Sequence, residues 1–222
     1  MITKLPRWIE FGAFALAFIA GCINSIGLLG FEHQAVSHVS GTATLLGAGL
    51  VFADQGVVWH LAGVVLSFFV GACFSGWLLH GASLRLGRHY DTALVIEALL
   101  LFAALLLLSN ASSVGHFAAS AACGLQNALA TAYSGAVVRT THLTGIVTDL
   151  GIMLGAFLRG ESFDRRKGIL FALILMGFVC GAASGTWLFG KLEFNSLWLP
   201  AIACLLLAVM YRIHIKRAQR SR

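Results

Sequence analysis

Long apolar runs, separated by short stretches that hold most of the charge, constrain this chain more than any single motif does. Eight can be marked, over residues 8–31, 36–53, 57–83, 91–109, 114–137, 141–158, 168–190 and 196–214. Most reach the ~20 residues that an α-helix needs to cross the hydrocarbon of a bilayer. The second and sixth are shorter and start in polar sequence. A soluble domain needs a polar exterior, and 222 residues that are 59% hydrophobic and only 11% charged cannot supply one. The sequence therefore predicts an all-α, polytopic transmembrane helical bundle. One membrane domain covers residues 1–222, because no polar block is long enough to fold separately. Frequent Gly (25 residues) and rare Pro (2) suit closely packed membrane helices.

The net charge of +6 does not point to nucleic acid, since the basic residues sit at segment ends and no face collects them among aromatics. The densest basic run, Arg212 to Arg222, follows the last apolar stretch and reads as a cytoplasmic tail near anionic headgroups. Five cysteines (Cys22, Cys73, Cys123, Cys180 and Cys204) stand singly in apolar segments, without metal-type spacing, and read as small packing residues. Lys4 and Arg7 precede an apolar run that is longer than a typical signal-peptide core and partly recurs later, so it reads as a helix of the bundle.

That recurrence is an internal repeat. Ser37-His38-Val39-Ser40-Gly41 reads like Thr141-His142-Leu143-Thr144-Gly145, and the match continues through Thr44/Thr148, Leu46/Leu150 and Gly47/Gly151 at an offset of 104. Upstream, Gly21 and Asn24 match Gly124 and Asn127 at an offset of 103. Downstream, Phe68, Gly71, Ala72, Trp77 and Leu78 recur as Phe178, Gly181, Ala182, Trp187 and Leu188 at an offset of 110. Three matched blocks in one order predict two four-segment halves, residues 8–110 and 113–215.

Two arrangements follow. If all eight segments cross, the halves are parallel, with 11 Lys/Arg inside and 4 outside. If the second and sixth are re-entrant or broken, six cross, the halves are inverted and the inside count becomes 14, leaving Lys191 outside. The positive-inside rule prefers the inverted arrangement. Short, Gly-interrupted segments at corresponding places in two halves also point to a transporter's binding site. Both arrangements put the two termini in the cytoplasm.

An ionisable group at membrane depth costs several kcal/mol unless it is paired or hydrated, so each is a functional candidate. Glu10 lies near the start of the first segment and reaches the interface. Glu97 lies about two turns into the fourth, where a packing contact to Arg or a hydroxyl is the plain alternative. Asp149 is the strongest candidate, because it sits inside the repeated motif where the first copy has Leu45. On a helix His142, Gly145 and Asp149 share a face, beside a stripe of Thr144, Thr148, Gly151 and Gly155. His142 and Asp149 are then roughly 10 Å apart along the axis, a gap for water, substrate or His38 of the other copy. A carboxylate near imidazole suits a proton relay; a packing network is the alternative. Asn24, Gln126 and Asn127 form a second polar cluster, able to bind a solute or to bond helix to helix. Arg139, just before the sixth segment, would favour an anion at that helix start or act as an interfacial anchor.

No phosphate-binding Gly-rich loop with Lys, zinc pair or nucleophile turn is present, so neither enzyme chemistry nor a cofactor or metal is expected. The expected function is a secondary transporter or permease for a small solute, with proton coupling as one form of it. The alternative is a non-transporting membrane subunit or assembly factor. The expected partners are the lipid bilayer, the solute and, for an oligomer, further copies of the chain.

Ala20-Gly21-x-x-Asn24, Ser37-His38-Val39-Ser40-Gly41-Thr42, Gly124-Leu125-Gln126-Asn127 and Val138-Arg139-Thr140-Thr141-His142-Leu143-Thr144-Gly145 together resemble the YoaK-like family of bacterial integral membrane proteins. The resemblance runs over nearly the full length and is most specific in the second-half string. The first half departs from the family pattern, which has Asp at Asn24 and Met-Thr-Gly-Asn at Val39-Ser40-Gly41-Thr42. The resemblance implies a multi-pass inner-membrane protein and supplies neither solute nor mechanism.

Overall fold

In hydrocarbon every backbone N–H and C=O must be bonded within the segment or around a closed barrel, and apolar runs of this length meet that demand as helices. The structure, a computed structural model, describes residues 8–30, 36–52, 54–79, 89–134 and 140–220. In chain order the helices are α1 (Trp8–Gly30), α2 (Val39–Phe52), α3 (Gln55–Leu79), α4 (Tyr90–Ser109), α5 (Val114–Ser134), α6 (Leu143–Leu158), α7 (Arg165–Leu192) and α8 (Trp198–Arg220). A 3-10 turn, Glu193–Leu197, joins the last two, and no strand occurs among the described residues.

Among the described residues, four stretches are long and apolar enough to cross a membrane: Glu10–Gly30, Gln55–Leu79, Tyr90–Ser109 and Arg165–Arg217. The last contains both α7 and α8, and Glu193, at φ 49°, breaks it. Large apolar side chains such as Phe52, Trp59, Phe69, Trp77 and Leu158 stand exposed around the bundle, as a lipid-facing surface requires. This is a helical membrane protein. With 14 and 16 residues, α2 and α6 are ~21 and ~24 Å long, short of the ~30 Å hydrocarbon core.

Helix ends follow local chemistry. The end of α6 is a Schellman motif: Gly160, at φ 92°, donates to the Phe157 carbonyl at 2.9 Å, and Glu161 donates to Ala156 at 3.1 Å. Asp164 then caps α7 by accepting from the Lys167 amide at 3.0 Å. The last helix runs beyond the expected residue 214 to Arg220, because the basic tail is made of good helix formers. The second starts at Val39, because the residues before it are held against α1.

Two crossings carry the packing. A Cβ built on Gly177, Gly181 or Gly185 of α7 would meet Phe14, Phe18 or Cys22 of α1, so these two helices run parallel. Likewise Gly63 of α3 lies against Phe117 of α5, and Gly71 against Ala121, so α3 and α5 also run parallel. At the tightest points a Cβ on Gly21 or Gly181 would overlap the carbonyl of Phe178 or Phe18. In the other crossing, Gly124 and Gly71 meet the carbonyls of Phe68 and Ala121. Only glycine allows backbones that close.

Between these pairs, α4 and α8 run antiparallel: the Tyr90 and Tyr211 rings are 5.5 Å apart, and those of Phe102 and Trp198 are 4.7 Å apart. The core divides by height. Leu16, Leu94, Leu129 and Ala208 pack near the end that carries the basic tail, whereas Ile26, Leu105, Leu108 and Leu197 pack towards the opposite end. The two short helices lie at the edge, with α2 packed on α3 and α6 on α7.

Replacing Gly21, Gly71, Gly124 or Gly181 by Ala is expected to destabilise the bundle by about 1–3 kcal/mol, since backbone must move to admit each Cβ. Gly76 and Gly151, with open space around them, should tolerate Ala without loss. Unfolding in detergent, followed by circular dichroism, separates the two groups.

Candidate functional site

The starts of α2 and α6 are built alike. Ser37 Oγ donates to Asn24 Oδ1 of α1 at 2.6 Å, and Thr141 Oγ1 donates to Asn127 Oδ1 of α5 at 3.0 Å. Asn24 lies six residues before the end of α1, ~9 Å along its axis, so α2 begins well below that end. Asn127 stands seven residues before the end of α5, and α6 begins at a similar depth. The amides thus serve as anchors that hold the two polar helix starts against α1 and α5, with Ser37 buried and both histidines exposed.

A histidine occupies the cap position of each. The carbonyl of His38 accepts from the Thr42 amide at 3.2 Å, and that of His142 accepts from Ile146 at 3.3 Å. His38 Nδ1 also accepts the Gly41 amide at 3.3 Å and faces Ser40 Oγ at the same distance. His142 makes no side-chain cap bond, and its ring lies where a Cβ on Gly145 would sit. The matched glycines leave room for the two rings. A turn further on, Thr44 and Thr148 donate to the Ser40 and Thr144 carbonyls at 2.9 and 2.8 Å.

Both starts open into one cavity of about 680 Å³. Its polar lining is Ser37, His38 and Ser40 from the first motif with Thr141, His142 and Thr144 from the second, and Asn127 and Thr131 from α5. Apolar side chains of α3, among them Val65 and Phe68, form the other wall. Among the described residues, no Asp, Glu, Lys or Arg lines the cavity. The described residues supply a field from two helix N-termini, each equivalent to roughly half a positive charge, and from side-chain dipoles. Such a site can accept negative charge or an acceptor-rich group.

Of the residues singled out in the sequence, His38, His142, Thr144 and Asn127 line this cavity, and Asn24 is one hydrogen bond from it through Ser37. Asp149 does not line it: its carboxylate lies 3.4 Å from Lys167 Nζ of α7 and is 46% exposed. His142 precedes the first helical residue, so it does not continue the α6 face that carries Asp149. Thr148 is spent on its own helix backbone. Gln126 is buried and donates to the Leu16 carbonyl at 3.0 Å, tying α5 to α1. Arg139 lies outside the described residues. Glu10 pairs with Arg166 at 3.5 Å. Glu97 is fully buried on α4, where its neighbours are the thiols of Cys123 and Cys204 rather than an arginine or a hydroxyl.

Ser37, Ser40 and Thr141, named in the sequence only as members of the repeated strings, and Thr131 line the cavity without having been candidates. Thr131 is one helical turn beyond Asn127, a spacing that could have revealed it. The contribution of α3 had no polar signal at all.

Residues 12–210 match the family described as "Protein of unknown function (DUF1275)". The chain belongs to that family. The match is consistent with the YoaK-like resemblance read from the motifs. No curated protein and no solved structure matches the chain.

Removing one anchor hydroxyl, by Ser37→Ala or Thr141→Val, is expected to cost about 0.6 kcal/mol, the mean worth of an interhelical hydrogen bond in a membrane protein. The double variant should cost about twice that, because the two anchors share no partner. Unfolding of the four proteins checks both numbers.

Proposed function

We propose that the protein is an inner-membrane permease, without enzymatic activity, that carries a small anionic or acceptor-rich solute through the cavity between the starts of α2 and α6. The observation that carries this reading is the convergence of two helix starts, each with a histidine at its cap position, on one cavity. Transporter sites are commonly made where broken helices point their N-termini at an anionic group near the bilayer midplane.

The proposed architecture is an inverted repeat, α1–α4 against α5–α8, with six crossings and two re-entrant helices. Several contacts favour it. The glycine pairs of the α1–α7 crossing correspond to those of the α5–α3 crossing at the offsets read from the sequence. The Ser37–Asn24 and Thr141–Asn127 bonds correspond in the same way. Antiparallel α4 and α8 agree with halves that run in opposite directions. In this arrangement α2 returns to the outer surface and α6 to the cytoplasm, and both termini are cytoplasmic.

Topology can be checked without a substrate. In a background lacking the exposed Cys73 and Cys180, cysteines placed at Asn110 and Asn195 should react with an impermeant thiol reagent from outside intact cells. Cysteines at Glu161 and Gln219 should react only after the membrane is opened. With eight crossings Glu161 and Gln219 remain inside but Asn110 also becomes internal, so labelling at Asn110 decides between the two arrangements.

Function is tested by thermal shift of the purified protein against a library of inorganic anions and small carboxylates. A true ligand at 100 times its dissociation constant adds about 2.7 kcal/mol of stability. The shift is expected to vanish in His38→Ala and His142→Ala and to persist in Asp149→Asn. Any pH dependence of binding is expected to be reduced with both histidines replaced by Gln, the imidazoles being the ionisable side chains that line the cavity among the described residues. If no solute binds and none crosses proteoliposomes, the subunit or assembly-factor reading replaces this one.

A further inference from the structure

A second cavity, of about 390 Å³, opens between α1, α4, α5 and α8 near the basic tail. Its size is within the range of small-molecule sites. The floor is apolar and buried, with Leu16, Leu94 and Leu129 no more than 6% exposed. The rim is apolar and open, with Phe11, Met210 and Ile213 all exposed. It is separate from the cavity between α2 and α6. Leu129 of α5 faces this one, while Asn127 and Thr131 face the other, and residues two apart on a helix point to nearly opposite sides.

One wall has a polarity gradient. Leu207, Met210, Tyr211, His214 and Arg217 recur at helical spacing along α8, apolar first and cationic last. Leu207 and Arg217 are ~15 Å apart along the axis. The nearest carboxylates are already matched, Asp91 with Arg212 at 4.0 Å and Glu10 with Arg166 at 3.5 Å. Among the described residues, Lys216 and Arg217 have no carboxylate partner, so the mouth of the slot carries net positive charge.

We propose that this cavity binds one anionic phospholipid of the leaflet nearest the basic tail, with an acyl chain in the slot and the phosphate at Arg217. The gradient along α8 matches a lipid from tail to headgroup, and the unmatched cations at its polar end match the charge. A zwitterionic headgroup would bring its own cation against Arg217 and Lys216. A free anion would leave the slot empty, and an uncharged apolar molecule would make no use of the cations.

The test is native mass spectrometry of the whole chain released from nanodiscs that contain phosphatidylglycerol or phosphatidylcholine. The wild type is expected to retain one phosphatidylglycerol and no phosphatidylcholine. Arg217→Gln should reduce that retention about fivefold, the effect of one basic residue at a membrane surface. Met210→Trp, a rim change that leaves the buried floor intact, should block the slot and abolish retention. Equal retention of the two lipids, or unchanged retention in Arg217→Gln, overturns the proposal. Displacement of the lipid by glycerol phosphate alone would also overturn it, because the slot would then contribute nothing.

Discussion

Backbone meets backbone at two places in this bundle, and the rest of the molecule is positioned by those contacts. Between helices in lipid there is no hydrophobic gain to hold them together, so close van der Waals approach must do it. Gly21 and Gly181 give α1 and α7 that approach, and Gly71 and Gly124 give it to α3 and α5. The second crossing is also the frame of the candidate site. Phe68, whose carbonyl lies under Gly124, is a cavity wall, and Asn127 stands one turn further along α5. A side chain at Gly124 would push α3 off α5 and spread the two walls. Packing and site geometry therefore rest on the same contact.

The short helices pose the opposite problem, because a helix start leaves N–H groups without internal partners. At membrane depth those groups cannot turn to lipid. The first motif answers partly from within, since His38 Nδ1 takes the Gly41 amide. The second does not, because His142 makes no side-chain cap bond. The two starts are alike in sequence yet differ in capping, and α6 leaves more of its first amides without a side-chain acceptor among the described residues. In the proposed permease the tighter hold on an anion then falls on the α6 side. The α2 start, already partly satisfied, would be the easier side from which to release it.

Much of the fold was legible because lipid makes severe demands. Apolar runs located the helices, and Gly21, Gly71, Gly124 and Gly181 stood out as matched positions, though only the structure shows that helices touch there. Matched strings around His38 and His142 marked the two polar starts. The sequence could not say that these starts share a cavity, since His38 and His142 are 104 positions apart. It also could not assign partners. Gln126 and Asn127 are adjacent and chemically similar. One ties α5 to the Leu16 carbonyl, and the other faces the cavity, because neighbouring residues on a helix point about 100° apart. Helix periodicity also failed at its edge: the face drawn through His142 and Asp149 assumes a helix that begins one residue too early.

Asp149 and Glu97 show why burial outranks motif when polar groups in a membrane are weighed. Asp149 stands inside the repeated string, where a carboxylate attracts notice, but Lys167 lies beside it and both side chains are partly exposed. An exposed pair of this kind is worth about 0–1 kcal/mol and needs no further role to account for it. Glu97 has no motif around it and sits in a plain apolar run. Nevertheless it is fully buried in the antiparallel α4–α8 contact, with thiols for neighbours and, among the described residues, no paired cation. A carboxyl in such surroundings costs far more than a leucine of similar volume, and the Cys204 thiol beside it offsets only part of that cost. Under the proposed inverted repeat, α4 and α8 are the matching helices of the two halves, so Glu97 lies where the halves meet through side chains, whereas α1–α7 and α3–α5 join them backbone to backbone.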